Sequence, residues 1–500
     1  MKVSLHYLYS TTLSLFILCQ LAFSQDKMNV LFLAVDDLRP QILNADIDHY
    51  STDLMITPNM DRLAERGMVF DRAYCQIPVC SASRLSIMTG TRPYKIRGQN
   101  YGRFWTYNDH LDAESPSGAP AGTNHPLDGN GNPAPTIPEI FKLNGYNTQS
   151  IGKIYHHPGD DKSSWTEGVT RIKDFKVYNT GTVDNAYEIG IGISDTGYPG
   201  GKNRDNGIQA LRTLSQKNKP FFLALGFAKP HLPFNCPKKY WDLYDRNDIH
   251  LPDNPTAPEN APSQSLHNWG ELRGYQNVQY KDASKKVLAD DYARTLIHGY
   301  YACVSFTDAM IGEVLAELDN LGIRNNTIVV LWGDHGWNLG EHNLWCKHCL
   351  YETSLLVPLY IDAPRKQDNL RSNALVEYVD VYPTLCELAG ITLPDHLEGT
   401  SLVPLLEKPD LPWKNAVYSN WQRGKSLRTD RYRYSEYFNT NDGLVSRMLY
   451  DHEADPMETV NIAELSENKV LVETLNKLLN DGWKRAAEGD ANTHGIPNRL

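Results

Sequence analysis

Asp36 and Asp37 close the run MNVLFLAVDD, and Asp334 with His335 closes NTIVVLWGDH. Each pair follows an apolar stretch that reads as a buried strand, and in an open parallel sheet ligands gather beyond the carboxyl ends of the strands. Three carboxylates brought to one such edge repel one another unless a cation neutralises them, and an oxygen-rich set suits Ca²⁺ or Mg²⁺. His335 is an unusual ligand for so hard an ion and fits the surroundings of the metal as well as its shell. Alone, either pair reads as a helix cap or a surface turn. In VCSASRLSIMTGTRP, Cys80 opens a helical segment whose dipole favours a thiolate, and Arg84, four residues on, shares its face. Cys80 is a candidate nucleophile; the other reading is a buried structural cysteine.

Three basic clusters also follow strand-like stretches: Lys153 and His156 in GKIYHHPG, Lys229 and His231 in KPHLPF, Lys347 and His348 in NLWCKHCLYE. Taken singly they read as solvated loops. Gathered on the edge that holds the acids and Cys80, they set positive donors beside a divalent cation, which suits a sulfate or phosphate ester. Cys346 and Cys349 make a weak redox motif, since no thioredoxin-like βαβ unit precedes them; a structural disulfide or two free thiols is the better reading.

These residues need elements to position them. PNMDRLAERG and TIPEIFKLNGY read as helices with glycine stops, SRLSIMTG as the start of another, and YYACVSFTDAMIGEVLAELDNLGI as a long amphipathic one. TQSIGK, KPFFLALGF, NTIVVLWGD and LLVPLYID read as strands. Their alternation predicts an α/β fold, a large mostly parallel sheet sandwiched by helices. Past LEGTSLVPLLEKPDLPW the rhythm changes to short aromatic strands and a terminal helix from Lys469, so a smaller C-terminal α+β subdomain with an antiparallel sheet is expected. The expected division is 1–24 as signal peptide, 25–412 as catalytic domain and 413–500 as C-terminal subdomain. Residues 105–135 and 250–290 are polar and rich in Gly, Pro, Asn or Asp, and read as long binding loops, lids or insertions.

The chain has 500 residues and net charge −11, with 41% hydrophobic and 22% charged residues, which excludes disorder, collagen and coiled coil. The acidic balance argues against a nucleic-acid surface. Lys2, the apolar run TTLSLFILCQLAF and the Ala22-Phe23-Ser24 triplet form an export signal, too short for a membrane span, so a periplasmic or secreted protein without a membrane span is expected. Cys19 leaves with that signal. Seven cysteines remain, so any pairing into disulfides leaves at least one thiol over.

The ordered set VDDLRP, VCSASRLSIMTGTRP, GKIYHHPG, KPHLPF, GDHGWNLGEHNLWCKH, LEGTSLVPLL and LYDHEADPMETVN resembles the type I sulfatases of the alkaline phosphatase superfamily, in particular their iduronate-type branch. The resemblance runs over about residues 28–465. It implies an alkaline phosphatase-like fold and a sulfatase acting on a sulfated oligo- or polysaccharide, glycosaminoglycan or algal polysaccharide such as ulvan. By resemblance, Cys80 is converted to formylglycine (3-oxoalanine) by a formylglycine-generating enzyme. One hydroxyl of the hydrated aldehyde attacks sulfur, and the second then expels sulfate. The resemblance also implies one Ca²⁺ held by Asp36, Asp37, Asp334, His335 and modified Cys80. Arg84 matches the residue that holds the formylglycine, Lys153 and Lys347 the lysines that grip sulfate, and His156 the histidine beside the formylglycine hydroxyl. His231 matches the donor of a proton to the leaving oxygen. Trp337 and Trp345 fall in a loop matching the substrate side. The modification signature Cys-x-Pro-x-Arg departs at Ala82, and the loop from Gln99 to Pro135 is too long for specificity residues to be carried across. The alternative is a phosphomonoester or phosphodiester hydrolase of the same superfamily, which usually has a Ser or Thr nucleophile. A non-catalytic carbohydrate-binding relative would have lost part of this set.

Overall fold

The structure is a computed structural model that describes residues 27–41, 55–92, 134–156, 161–172, 185–280, 287–364, 366 and 368–484. The signal segment, most of the 105–135 loop and the chain beyond Lys484 lie outside the described residues.

The main sheet is built on β1 (Asn29–Val35), whose seven residues are all buried. The other strands are β2 (Met68–Tyr74), β3 (Asn147–Gly152), β4 (Val169–Thr170), β5 (Phe221–Phe227), β6 (Thr327–Gly333), β7 (Leu356–Val357), β8 (Leu359–Asp362) and β9 (Leu370–Glu377). From β6 the order runs β6-β1-β5-β3-β4, all parallel. β8 pairs antiparallel with β6 on the other side and with β2, which also pairs antiparallel with β7 and parallel with β9. The sheet is therefore mostly parallel. A continuous apolar strand such as NVLFLAV has no polar face, so helices must cover both sides. Val30, Phe32 and Ala34 enter one core, and Leu31, Leu33 and Val35 the other. The helices α1 (Pro58–Arg66), α4 (Pro199–Ser215) and α5 (Asp290–Asn320) cover the second core. On the first lie α2 (Cys80–Thr89), α3 (Ile137–Leu143) and α6 (Val381–Leu388).

Two sequence expectations need adjusting. The long helix starts at Asp290, ten residues before the predicted Tyr300, because Leu296 and Ile297 already carry its buried stripe and Asp290 and Asp291 suit a first turn. LLVPLYID is interrupted at Pro358, which lacks the N–H a continuous ladder needs.

Four antiparallel strands follow: β10 (Val417–Trp421), β11 (Gly424–Arg428), β12 (Tyr432–Phe438) and β13 (Leu444–Asp451). Leu427, Tyr434 and Leu449 on one face pack with Val472 and Leu475 of α7 (Lys469–Asp481). Val417, Tyr437, Met448 and Tyr450 on the other join the main core. No helix among the described residues is long and apolar enough to cross a membrane.

Candidate active site

Register assembles the site. Val35 of β1 lies beside Phe227 of β5 and Gly333 of β6, so Asp36-Asp37, Lys229-His231 and Asp334-His335 leave the sheet along one edge. Gly152 of β3 pairs with Gly226 and delivers Lys153 to the same edge. Gly152 has φ +75°, and a Cβ there would lie 2.0 Å from the Gly226 oxygen, so only glycine allows this close turn. Asp37 has φ 59°, an uncommon conformation for aspartate. It is held by Tyr300, whose hydroxyl donates to the Asp37 carbonyl (2.8 Å) and accepts from Arg39 N–H (2.9 Å).

Cys80 is the first residue of α2, a helix buried at all ten positions. Its Sγ lies 3.2 Å from His335 Nε2 and 3.8 Å from Asp37 Oδ1. Arg84 bonds Asp36 Oδ1 (2.9 Å) and Asp334 Oδ2 (2.9 Å), and donates to the carbonyls of Lys153 (2.7 Å) and Ile154 (2.8 Å). Lys153 Nζ pairs with Asp36. Burial opposes charge on Asp36, yet Lys153 and Arg84 hold its carboxyl well below the usual range. Burial pushes the Asp37 carboxyl up, with Cys80 and Asp36 adding to it against Lys347. Burial also pushes the Cys80 thiol up to about 12, against Lys347 and Lys153, so the helix dipole does not prevail here and the thiolate expected from sequence is disfavoured.

Lys347 is presented by a tight turn after the two-residue pairing of Asn338-Leu339 with Trp345-Cys346. The residues on either side, Cys346 (φ 74°) and His348 (φ 79°), both adopt the left-handed region. Lys347 Nζ reaches Asp37 (3.1 Å) and Glu271 (3.1 Å) and lies 4.9 Å from the Trp337 ring centre. His231 Nδ1 is 2.6 Å from the Leu232 carbonyl, so it donates there and Nε2 faces Glu271 Oε1 (3.2 Å) and Asp37 Oδ2 (3.8 Å). Lys229 turns away: its Nζ donates to the carbonyls of His231 (3.1 Å) and Pro233, shaping the turn that carries His231. His348 stacks on Trp421.

Of the ten residues singled out for the site, nine form one continuous network: Asp36, Asp37, Cys80, Arg84, Lys153, His231, Asp334, His335 and Lys347. His156 is joined to it along the chain, three residues past Lys153, with its carbonyl accepting from Arg171 (2.9 Å). Glu271 was missed. It sits in a four-residue helix, Gly270–Arg273, inside the polar 250–290 stretch, and one carboxylate in a long loop carries no periodic signal. The described cysteines are all unpaired thiols, seven in number, Cys346 and Cys349 among them.

The donor chemistry fits a hard cation. Asp37, Cys80, Asp334 and His335 offer ligand atoms within 4.8 Å of one another, as do Asp36, Asp37, Cys80 and His231. His335 Nδ1 lies 2.9 Å from the Gly336 carbonyl and donates to it, which turns Nε2 towards Asp37 and Cys80. His335 therefore belongs with the candidate ligands rather than behind them. A second acidic group, Glu352, His452 and Glu458, is neutralised by Arg428 and Arg433.

A mostly parallel sheet with acids, a cysteine and cations converging at its carboxyl edge is an arrangement suited to an anionic ester. The family model for sulfatases matches residues 28–391, and that for the C-terminal part of N-sulphoglucosamine sulphohydrolase matches 340–485. The chain belongs to the sulfatase family and is a sulfuric ester hydrolase. It is 29% identical over 541 residues to iduronate 2-sulfatase of Homo sapiens, covering 90% of this chain and 94% of that protein. A sulfatase of Formosa agariphila is 33% identical over 474 residues, covering 91% and 86%. A solved structure described as in complex with its substrate D-glucosamine-2-N,6-O-disulfate shares the fold, with TM-score 0.71 and 22% identity over 95% of this chain and all of that one.

Proposed function

We propose that this sulfatase depends on formylglycine at position 80 and on Ca²⁺, and that it removes sulfate from a sulfated carbohydrate, a glycosaminoglycan or an algal polysaccharide fragment such as one of ulvan. The observation that carries the reading is the position of Cys80: buried at the first turn of α2, in contact with Asp37 and His335, with Arg84 on the same helix tied to both other acids. The similarity to iduronate 2-sulfatase supports a sugar ester as substrate. Asp36, Asp37, Asp334 and His335 would hold Ca²⁺, which supplies charge neutralisation and a Lewis acid, while the formylglycine hydrate supplies the nucleophilic hydroxyl.

The chain's own side chains do the rest. Arg84 holds Asp36 and Asp334 in place. Lys153 and Lys347 stand on two sides of the acid cluster, where they bind sulfate oxygens. His231, with Nδ1 anchored, directs Nε2 to the oxygen that leaves. His156 completes the surroundings of residue 80. Maturation then requires a formylglycine-generating enzyme as partner, and the N-terminal segment directs export.

Mass spectrometry of the tryptic peptide that contains position 80, from protein made together with a formylglycine-generating enzyme, tests the reading. An aldehyde or its hydrate is expected in place of the thiol. Active enzyme that carries only unmodified cysteine would reject it. Sulfate release from defined sulfated oligosaccharides then identifies the sugar.

A further inference from the structure

Glu271 is built into the site with some care. Its short helix is pinned by Trp269, whose Nε1 donates to the Asn343 carbonyl (2.7 Å), and by Arg273, which stacks on the Trp269 ring at 4.4 Å and donates to the carbonyl of Asn268 (2.7 Å). Leu272 is fully buried between these anchors. Oε1 is shared by Lys347 Nζ (3.1 Å) and His231 Nε2 (3.2 Å), the two groups read above as a sulfate contact and the leaving-group donor. Oε2 is shielded and has no hydrogen-bond partner, although the side chain as a whole is 20% exposed at the mouth of the site. An ionic oxygen shielded in this way, with no donor, is costly unless something fills it.

A negative charge beside Lys347 works against binding an anionic ester, so it needs an offsetting use. The carboxylate borders His231 Nε2, hence the carbon that bears the ester and that carbon's neighbours on the ring. We propose that Glu271 is a specificity-determining residue that reads the substituent next to the scissile sulfate. It accepts a hydrogen bond from a hydroxyl or N–H on the adjacent carbon, and it repels a second sulfate or a carboxylate there. The inference rests on the sulfatase reading and on the role given to His231, and it deepens both: the preferred ester is flanked by a donor.

Three aryl esters test this without knowledge of the sugar. Phenyl sulfate has no substituent beside the ester, 2-hydroxyphenyl sulfate has a donor on the adjacent carbon, and 2-carboxyphenyl sulfate has an anion there. Binding and turnover are measured for the mature enzyme and for Glu271→Gln, each ester is expressed relative to phenyl sulfate, and the variant's ratio is divided by the wild type's for the same ester, which cancels leaving-group electronics. A hydrogen bond to a charged group implies that the variant loses about tenfold or more of the relative preference for the hydroxy ester. Its relative tolerance of the carboxy ester should rise by about the same factor. If all three change by one common factor, Glu271 only supports Lys347 and His231 and the proposal falls. A mature enzyme that releases sulfate from a sulfated sugar yet binds none of the three overturns this proposal alone, whereas one that releases sulfate from neither the sugar nor the aryl esters overturns the reading of the site on which it rests.

Discussion

Replacing His231 by alanine separates acid catalysis from binding. The ring is fixed by its Nδ1 bond to the Leu232 carbonyl, and Lys229 holds the surrounding turn through two carbonyls, so the substitution removes Nε2 and leaves the loop in place. Burial and Lys347 push the His231 pKa well down, so a proton on Nε2 depends on negative charge brought near it. The sulfate ester brings that charge. A sugar alkoxide is a poor leaving group and needs the proton as the S–O bond breaks, whereas nitrophenolate is stable without it. General-acid help is typically worth about 10²- to 10⁴-fold, equivalent to roughly 3–5 kcal/mol of barrier. His231→Ala should therefore cut kcat for a sulfated sugar by that range and kcat for nitrophenyl sulfate by less than about tenfold, given that the mature enzyme accepts the latter. Lys347→Ala, which removes the contact to sulfate proposed above, should damage both. The assay is steady-state sulfate release on the two esters with each variant. Equal losses for His231→Ala would refute the proton-donor argument and leave His231 a binding residue.

Chelation of the mature enzyme with EGTA should abolish activity and lower its melting temperature, with Ca²⁺ restoring both; elemental analysis finding stoichiometric zinc would contradict the donor chemistry, and Asp36→Ala should lose activity while keeping the circular dichroism of the fold. Glu377 is buried, yet Arg92 and Lys414 hold its carboxyl down to about 2. Its folded value lies below the unfolded one, so its contribution is complete above the ordinary glutamate range and is lost as pH falls from about 4.5 towards 2. Glu377→Gln should flatten the acid limb of denaturant-measured stability there, and an unchanged limb would contradict the ion pairs. Arg433→Leu strips buried Glu352 and Glu458 of their shared partner and should destabilise the protein by about 3–5 kcal/mol in chemical denaturation; a neutral result would mean that Arg428 and His452 suffice.

The site was legible in sequence to the extent that it hangs on strand ends. MNVLFLAVDD, KPFFLALGF and NTIVVLWGD each join an unbroken apolar run to a polar stop, and the parallel register aligns those stops. What lay off the apolar strands was harder to read. β2 carries Asp71 and Arg72, and β9 reads LRSNALVE; both hide their strand character because Asp71 pairs with Arg371 across the two strands near solvent. The thiolate expectation at Cys80 failed for a related reason. A helix terminus contributes a modest field, and a fully buried thiol surrounded by carboxylates meets a desolvation cost larger than that. Burial is a property of the assembled fold, and the local sequence CSASR does not contain it.

The same holds for the C-terminal sheet, whose residues read as part of a smaller α+β subdomain. Arg428 and Arg433 project from β11 and β12 to Glu352, which follows the turn that carries Lys347 by five residues. Tyr74 donates to the same carboxylate, and the Glu352 N–H is held by Glu458 (2.8 Å). Two residues on, the Ser354 carbonyl accepts from Gly336 N–H (3.0 Å), next to His335, and the Ser354 hydroxyl accepts from Asn338 (2.8 Å). An apolar cluster of the same volume would serve stability as well, and often better. Ion pairs with fixed geometry add direction: they set where the segment after Lys347 begins and where the strand end bearing Asp334 and His335 must stop. On this reading the second sheet positions both the metal-side and sulfate-side loops. The face of the sheet that packs on the main core thus carries these arginines beside Val417, Tyr437, Met448 and Tyr450, while Leu427, Tyr434 and Leu449 on the opposite face pack on α7.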